Sequence, residues 1–265
     1  MKLGFLGAGN MSTALVKGAL SAGFISPENL YVSDISEIRV KAMRELGVNA
    51  QSDNAALVRA CDYVVCAVKP NVLPHVLSSL KEELRQKVLV SIAAGVSIKT
   101  MKKILGENTK IVRIMPNVPA LVGEGMSVVC RDNMASDEDI AVVMQIFGAV
   151  GKAVELPERL INISTATNGS GPAYVFMMIE AMADAAVLHG MPRDVAYLLV
   201  SQTILGAAKL ALDTGEHPGR LKDMVCSPGG TAIEAVYQLE TDSFRASLIN
   251  AIDSCYKKAE RLSCE

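Results

Sequence analysis

Tryptophan is absent from the sequence, and aromatic residues together make up only 4% of it. Alanine, leucine, valine and methionine are plentiful instead, and 50% of the 265 residues are hydrophobic. Alanine, leucine and methionine are strong helix formers. This composition is typical of a globular protein whose helices pack closely on small side chains.

Charge of one sign is not in excess: 26 Lys and Arg stand against 28 Asp and Glu, a formal net charge of −2. Nucleic-acid binding needs clustered cations, and no basic run occurs, so we expect no nucleic-acid partner. The longest apolar stretches are strand-length or interrupted, so we expect no membrane span. The sequence opens directly on a strand and a glycine turn, so we expect no cleaved leader and a cytoplasmic location.

Cysteine spacing excludes the usual metal patterns. No pair reads Cys-x-x-Cys and none clusters with the three histidines, so we expect no metal site. Their scatter through apolar segments indicates reduced core thiols of a cytosolic protein. The six are Cys61, Cys66, Cys130, Cys226, Cys255 and Cys264.

The first half of the chain alternates strand and helix patterns. Apolar, β-branched runs between helical segments predict a parallel sheet buried on both faces, an α/β fold of the doubly wound Rossmann type. The predicted strands are 2–6, 30–33, 63–68, 88–92, 111–115, 127–131 and 153–156, and the predicted helices are 11–22, 37–46 and 137–147.

From about residue 158 the pattern becomes helical, with segments predicted at 173–189, 193–212, 232–239 and 243–262. A helix that is apolar on most faces must be buried, and about 105 residues of helix cannot easily hide that surface alone. We therefore predict an obligate homodimer. The domains would be 1–157, which binds a dinucleotide, and 158–265, an all-α domain for dimerisation and substrate binding.

A glycine turn follows the first predicted strand. Gly7 permits the tight turn, and Gly9 lets the backbone approach a pyrophosphate at the start of the next helix. Ser12 stands where a third small residue is usual. The order of strand, turn, helix and second strand predicts a nicotinamide dinucleotide site.

Asp34, at the end of the second strand, bears on the choice of cofactor. A carboxylate there accepts hydrogen bonds from the ribose 2′-hydroxyl of NAD and repels the 2′-phosphate of NADP. Ser33, Ser36 and Arg39 offer donors nearby, and Asp34 or Ser36 could instead cap the next helix. The sequence leaves this choice open.

Three later strands end in small residues and prolines. The segments are Lys69-Pro70-Asn71, Ala93-Ala94-Gly95 and 116–120. Ligands of doubly wound sheets bind beyond the carboxyl ends of the strands. Together these loops predict a close-fitting floor under a flat ring.

The helical half contains Leu221-Lys222-Asp223 followed by the segment 227–231, which reads Ser-Pro-Gly-Gly-Thr. Ser227 can cap a helix, Pro228 suits its first turn, and two glycines leave N–H groups bare, which favours a small carboxylate. An ordinary capped helix start explains the same residues.

These segments together resemble pyrroline-5-carboxylate reductase, in the family's order and across almost the whole chain; the Leu-Lys-Asp and Ser-Pro-Gly-Gly-Thr segments are the specific ones. The resemblance implies a Rossmann domain followed by a helical dimerisation domain, dimers that often assemble into larger rings, and reduction of 1-pyrroline-5-carboxylate to L-proline by NAD(P)H. It favours NADPH, with NADH open because of Asp34. The segments are 5–11, 67–70, 91–96, 113–120, 169–174, 190–193 and 217–231.

The resemblance also assigns the site residues. The substrate carboxylate would be held by Ser227, Gly229, Gly230, Thr231 and Ala232. The cofactor would be bound by Leu6, Gly7, Ala8, Gly9, Asn10, Met11, Asn54, Ala67, Val68, Lys69, Pro70, Ala93, Ala94, Gly95, Met115, Pro116 and Asn117, together with Ser33 and Asp34 at the ribose.

One residue departs from the family. Many members carry a threonine as the second residue after Gly-Gly, where this chain has Ala232, and the hydroxyl stands one place earlier at Thr231. We therefore expect Thr231 or Ser227, or water, to donate to the ring nitrogen. The rival interpretations are a β-hydroxyacid dehydrogenase, whose helical lysine is missing from 173–189, and a non-catalytic dinucleotide sensor.

Overall fold

The protein is described here by a computed structural model that covers residues 1–264, without the side chain of Cys264. Contacts divide the chain into two units. Unit 1 comprises residues 1–170 together with 255–264, and unit 2 comprises residues 171–254. The predicted boundary between the two domains, after Pro157, stays a prediction. The last residue of the predicted second domain, Glu265, lies outside the described residues.

Unit 1 contains one eight-stranded sheet in the order β3-β2-β1-β4-β5-β6-β7-β8. Its first six strands in space reproduce the doubly wound order around β1, as predicted. The strands are β1 Leu3–Leu6, β2 Leu30–Ser33, β3 Asn49–Gln51, β4 Tyr63–Cys66, β5 Val88–Ser91, β6 Lys110–Met115, β7 Gly125–Arg131 and β8 Gly151–Glu155.

The expectation of an all-parallel sheet is wrong at one pair. β7 runs antiparallel to β6, with Met115 opposite Val128, whereas β8 is again parallel to β7. A parallel pair needs a long crossover. Here the two strands are joined by the short 3₁₀ helix Val118–Val122, which returns the chain directly alongside β6.

The helices of unit 1 cover both faces of the sheet. The predicted helices 11–22, 37–46 and 137–147 are present. Four short helices between β3 and β6 and the three-residue β3 itself were not predicted. The helices are α1 Asn10–Ser21, α2 Glu37–Arg44, α3 Asn54–Ala60, α4 Leu73–Ser79, α5 Lys81–Leu84, α6 Ile98–Leu105, α7 Asp137–Gly148 and α8 Ile161–Ser164.

The core of unit 1 has two layers. Phe5, Leu15 and Phe147 belong to one apolar cluster, and Leu57 and Leu77 belong to a second. All five side chains are fully buried. Both faces of the sheet are therefore covered, which explains why its central strands read as continuous apolar runs.

Unit 2 is helical and buries little. Its buried apolar residues are Ala183, Ala196 and Val200, among all of residues 171–254. Large side chains lie on its surface instead, such as Leu188, 81% exposed, and Leu198, 70% exposed. The helices are α9 Gly171–Leu188, α10 Arg193–Thr214, α11 Pro218–Val225, α12 Thr231–Thr241 and the first part of α13 Phe244–Cys264.

Two helical stretches, Glu158–Leu188 and Arg193–Thr214, have the length and apolar composition that a membrane crossing requires. The sequence was expected to contain no such stretch. The first stretch, Glu158–Leu188, runs through α8 and α9 with little interruption. It is therefore longer than the predicted helix 173–189 and contains more apolar residues. Length and composition alone are weak evidence for a span, because core helices share them.

The cysteines divide by burial. Cys61, Cys66 and Cys130 are buried, as expected of core thiols, but Cys226 and Cys255 are half-buried. Burial raises the pKa of Cys61 and of Cys66 to about 12. The prediction for the Cys264 thiol lies outside the described part of the chain.

Candidate active site

The glycine turn joins β1 to α1 at residues 7–9. Gly7 has a φ of +100°, and a Cβ added there would lie 3.1 Å from the carbonyl oxygen of Ala67. Its N–H donates to the carbonyl of Ser33 over 2.7 Å. A side chain at residue 7 is therefore opposed both by the backbone angle and by the neighbouring strand.

The start of α1 has the properties of an anion cradle. Gly9 is the N-cap residue, and no side chain among residues 1–264 caps this end. Apart from Gly9 and its two neighbours in the chain, no described residue has an atom within 4 Å of the position that a Cβ on Gly9 would take. The first N–H groups of α1, from Asn10 to Ser12, and the positive end of the helix dipole face this open space. The residues present fit a pyrophosphate.

Asp34 supports the glycine turn from the end of β2. Its Oδ2 accepts from the N–H of Ala8 and its Oδ1 from the N–H of Ser36, both over 2.8 Å. Arg39 approaches Oδ2 at 3.5 Å, and the Asp34 side chain is only 7% exposed. The carboxylate is thus occupied within the protein, and its contact with a ribose stays a prediction.

Two other predicted cofactor residues bind each other. The hydroxyl of Ser33, at the end of β2, donates to Oδ1 of Asn54 over 2.6 Å. Asn54 is the first residue of α3, which Asp53 caps through the N–H of Ala56. The bond ties the end of β2 to the start of α3, beside the turn at Gly7.

The remaining predicted cofactor residues follow the neighbouring parallel strands β4, β5 and β6. Leu6 lies opposite Cys66, and Cys66 opposite Ser91, so these strands end at one edge of the sheet. Gly95 has a φ of +78°, and a Cβ there would lie 3.4 Å from the carbonyl oxygen of Leu262. This edge collects Ala67, Val68, Lys69, Pro70, Ala93, Ala94, Gly95, Met115, Pro116 and Asn117.

Asn168 reaches the same edge, although the sequence analysis gave it no role. Its side-chain Nδ2 donates to the carbonyls of Met115 and Met126 over 3.2 and 3.1 Å. It belongs to the π-helical turn Thr165–Gly169, a local irregularity frequent at functional sites. The proline four residues later, Pro172, is the sequence signal, because it removes a helical N–H donor.

The segment 227–231 lies in unit 2 and forms a tight turn. The N–H of Gly230 donates to the carbonyl of Ser227 over 3.0 Å, and Gly229 has a φ of +67°. Proline second and glycine third is the type II pattern. The expectation that Ser227 caps the next helix and Pro228 enters its first turn is wrong, because Gly230 is the N-cap of α12.

The start of α12 is the candidate carboxylate site. Gly230 caps the helix without a side-chain bond from any residue that the structure describes, so the N–H groups of Thr231, Ala232 and Ile233 have no partner inside the helix. A Cβ on Gly230 would overlap the Ser227 hydroxyl, which therefore lies over this helix end.

Thr231 and Ala232 differ in their surroundings. Thr231 is exposed and Ala232 half-buried, and consecutive helical residues point about 100° apart. The Thr231 hydroxyl therefore cannot replace one at residue 232 by a simple rotation. An open depression of about 650 Å³ beside Thr231 is lined by Gly229, Gly230, Thr231, Glu234, Ala235 and Gln238. Glu234 is not among the residues predicted for this site, and its signal in the sequence is its i+3 spacing from Thr231.

Metal-ligating side chains do not gather anywhere in residues 1–264: no group of three His, Cys, Asp or Glu is placed to hold an ion. The two candidate cradles, at Gly9 and at Gly230, are both built from backbone N–H groups of helix starts. Such cradles bind phosphate and carboxylate rather than cations.

Two family models match the chain. Residues 158–262 match pyrroline-5-carboxylate reductase dimerisation, and residues 2–95 match a model described as NADP oxidoreductase, coenzyme F420-dependent. A pyrroline-5-carboxylate reductase of Methanosarcina acetivorans is 47% identical over 98% of this chain and 97% of its own length.

Solved structures are similar over the whole chain as well. A pyrroline-5-carboxylate reductase of Coxiella burnetii gives a TM-score of 0.95 at 34% identity, covering 99% of this chain and 98% of that one. A Plasmodium falciparum pyrroline carboxylate reductase, solved with NADP bound, gives 0.89 at 37% identity with the same coverage, 99% and 98%.

Proposed function

The chain belongs to the pyrroline-5-carboxylate reductase family, and we propose that it reduces 1-pyrroline-5-carboxylate to L-proline with a hydride from NAD(P)H, the last step of proline biosynthesis. The observation that carries the proposal is the whole-length likeness to reductases of that name. Two backbone cradles, one in each unit, suit the phosphates of the cofactor and the carboxylate of the substrate.

The cofactor is NAD(P)H, and unit 1 holds it. When bound, it supplies the hydride that reduces the imine carbon. The N–H groups at the start of α1 would bind the pyrophosphate, and the edge formed by β4, β5 and β6 would take the nicotinamide ring. The Plasmodium falciparum relative solved with NADP bound supports NADPH as the preferred form, and the Asp34 carboxylate accepts a hydrogen bond from the N–H of Ala8.

The substrate side requires a carboxylate site and a proton for the ring nitrogen. The N–H groups of Thr231, Ala232 and Ile233 would bind the carboxylate and orient the ring. A protonated imine is already electrophilic, so orientation supplies much of the catalysis. The hydroxyl of Thr231 or Ser227, or a water molecule, donates the hydrogen bond to nitrogen.

The helical segment makes the protein a homodimer, which explains the apolar surface of unit 2. The described cysteines are free thiols, as is usual for proteins of a reducing compartment. A cytoplasmic location, and assembly of dimers into a larger ring, are part of this proposal.

The direct test is oxidation of NADPH and of NADH at 340 nm with and without 1-pyrroline-5-carboxylate, with L-proline identified as the product. We expect turnover that depends on the imine and is faster with NADPH. Cofactor binding without turnover would replace the reductase by a dinucleotide sensor, and faster turnover with NADH would refute the cofactor preference.

The proton donor is tested by Thr231→Ala, Ser227→Ala and the double variant. Loss of one hydrogen bond to a charged transition state should lower kcat about tenfold or more. Thr241→Ala is the matched control, since that hydroxyl ends the same helix and donates to the carbonyl of Tyr237. If kcat and KM are unchanged in the double variant, water is the donor, and Ala232→Thr should then raise kcat.

A further inference from the structure

The end of the β6–β7 ladder is closed by a side chain instead of the backbone. Met115 lies opposite Val128 in register, which places Asn117 opposite Met126 two residues further on. The carbonyl of Asn117 is already used by the N–H of Ala120, over 3.2 Å. The N–H of Met126 instead donates to Oδ1 of Asn117 over 2.8 Å.

Asn168 completes the same ladder from the π-helical turn. Its Nδ2 donates to the carbonyls of Met115 and Met126, and its Oδ1 accepts from the Ser164 hydroxyl over 2.6 Å. The amide atom that contacts two carbonyl oxygens must be the nitrogen, because only it can donate to them, and the atom that contacts the Ser164 hydroxyl is then the oxygen. The amide therefore joins β6, β7 and α8 at a single point.

The two asparagines are also bonded to each other. Pro172 has no N–H for the carbonyl of Asn168, four residues earlier, and that carbonyl accepts from Nδ2 of Asn117 over 3.1 Å. A Cβ on Gly169 would overlap the terminal methyl of Met115. The π-helical turn and the loop 115–117 therefore pack directly on one another.

We propose that Asn117 and Asn168 form a brace that holds the loop 115–117 in the geometry that the nicotinamide ring requires. Both are positioning residues: they act through the backbone of Met115 and Asn117. The inference rests on the proposed function, which assigns this loop to the nicotinamide. The Nδ2 and Oδ1 atoms of both side-chain amides each make a hydrogen bond within the brace.

If the brace holds the nicotinamide loop, breaking it should lower the affinity for ligands that contain a nicotinamide ring and not for ligands that lack one. Asn168→Asp removes both N–H donors and directs a carboxylate oxygen at two carbonyls, so the loop should move. Affinity for NADPH should fall about tenfold, while affinity for 2′-phospho-ADP-ribose, which has no nicotinamide, should stay within about twofold. Titration calorimetry measures both. In turnover, kcat should fall more than KM for the imine rises.

Thr167→Ala is the matched control, because its exposed hydroxyl bonds only to carbonyls of its own helix, at Ile163 and Ser164. It should bind both ligands normally. Asn117→Asp is the milder second variant. It keeps the acceptor for Met126 and places a carboxylate oxygen against one carbonyl, that of Asn168, instead of two, so it remains informative if Asn168→Asp does not fold.

The brace is refuted if folded variants bind both ligands as the unaltered protein does, or lose both equally. The second result would mean a general loss of the dinucleotide fold. Should the unaltered protein show no imine-dependent turnover, the proposed function fails, but the difference between the two ligands still tests the brace.

Discussion

The two units of this protein bury their apolar residues in opposite ways. Unit 1 has a sheet covered on both faces, with Phe5 and Phe147 fully buried inside the chain. Unit 2 buries three apolar side chains, all small or medium in size, and leaves residues such as Met177, 69% exposed, on its surface. A sheet covered on both faces closes its core within one chain, whereas unit 2 leaves apolar surface that the second copy of a homodimer would bury.

The largest effect is expected from a substitution on the exposed apolar surface of unit 2. Leu198→Glu places a carboxylate on α10, where the dimer would bury it. We expect the dissociation constant to rise about a thousandfold, or ~4 kcal/mol, measured by sedimentation at micromolar and lower concentrations. Met134→Glu, a change at a 43% exposed apolar residue of unit 1, should leave the dimer intact. A Leu198→Glu dimer of normal stability would place the interface elsewhere on unit 2.

The next prediction addresses unit 1 alone. In Gly7→Ala the alanine must adopt the positive φ of residue 7, which costs ~1–2 kcal/mol, and its Cβ crowds the carbonyl oxygen of Ala67. NADPH affinity should fall about tenfold by calorimetry, while the dimer is unaffected. Gly23→Ala carries the same kind of strain, with a φ of +68° and no described atom within 4 Å of the added Cβ. Its cofactor affinity should be normal; equal losses in both variants would make strain rather than crowding the cause.

A third prediction concerns how the closed core of unit 1 depends on pH. Burial favours a raised pKa for Asp139, but hydrogen bonds from Lys110, over 2.7 Å, and from Ser136 outweigh it and lower the pKa. The lowered pKa adds stability above the unfolded value of about 3.9, and this is lost as pH falls through the folded value. Asp139→Asn should therefore cost ~1.5–3 kcal/mol at neutral pH and progressively less as the pH falls below about 3.9 and through the lowered pKa of the folded state.

Urea unfolding at several pH values measures this difference. Asp137→Asn is the control, on the same turn of α7 but with a side chain that is 88% exposed. It should change the free energy of unfolding by less than ~1 kcal/mol. An Asp139→Asn cost that does not change with pH would exclude the charge as its cause.

The smallest effect is expected from a substitution of a buried serine in unit 1. The Ser12 hydroxyl is fully buried and has no hydrogen-bond partner among the described residues. Ser12→Ala removes an unsatisfied polar group from the contact between α1 and the sheet, so the protein should become more stable, by up to ~1–3 kcal/mol less any cavity cost. Destabilisation in urea would reveal a partner, such as bound water.

Periodicity and composition predicted the long elements well. The strands around Phe5, Val65 and Val90 were predicted within a few residues, because a strand buried on both faces is apolar throughout. The three-residue β3 and the short helices α3 to α5 were not predicted, since so few residues barely define a period. The helix α6 was not predicted either, although Ile98, Met101 and Leu105 are buried at helical spacing. The direction of β7 was also wrong, because an apolar run has the same composition in either orientation.

Local chemistry along the chain was sufficient for the glycine turn at Gly7 and for the apolar strands, since each depends on residues close in sequence. Three features required the folded chain. The Asp34 carboxylate turns to the N–H of Ala8, 26 residues away; Gly230, not Ser227, caps α12; and Asn168 joins strands at Met115 and Met126, 53 and 42 residues away. Sequence cannot choose among many possible partners for a polar side chain, whereas folding leaves each buried donor with the acceptor that lies beside it.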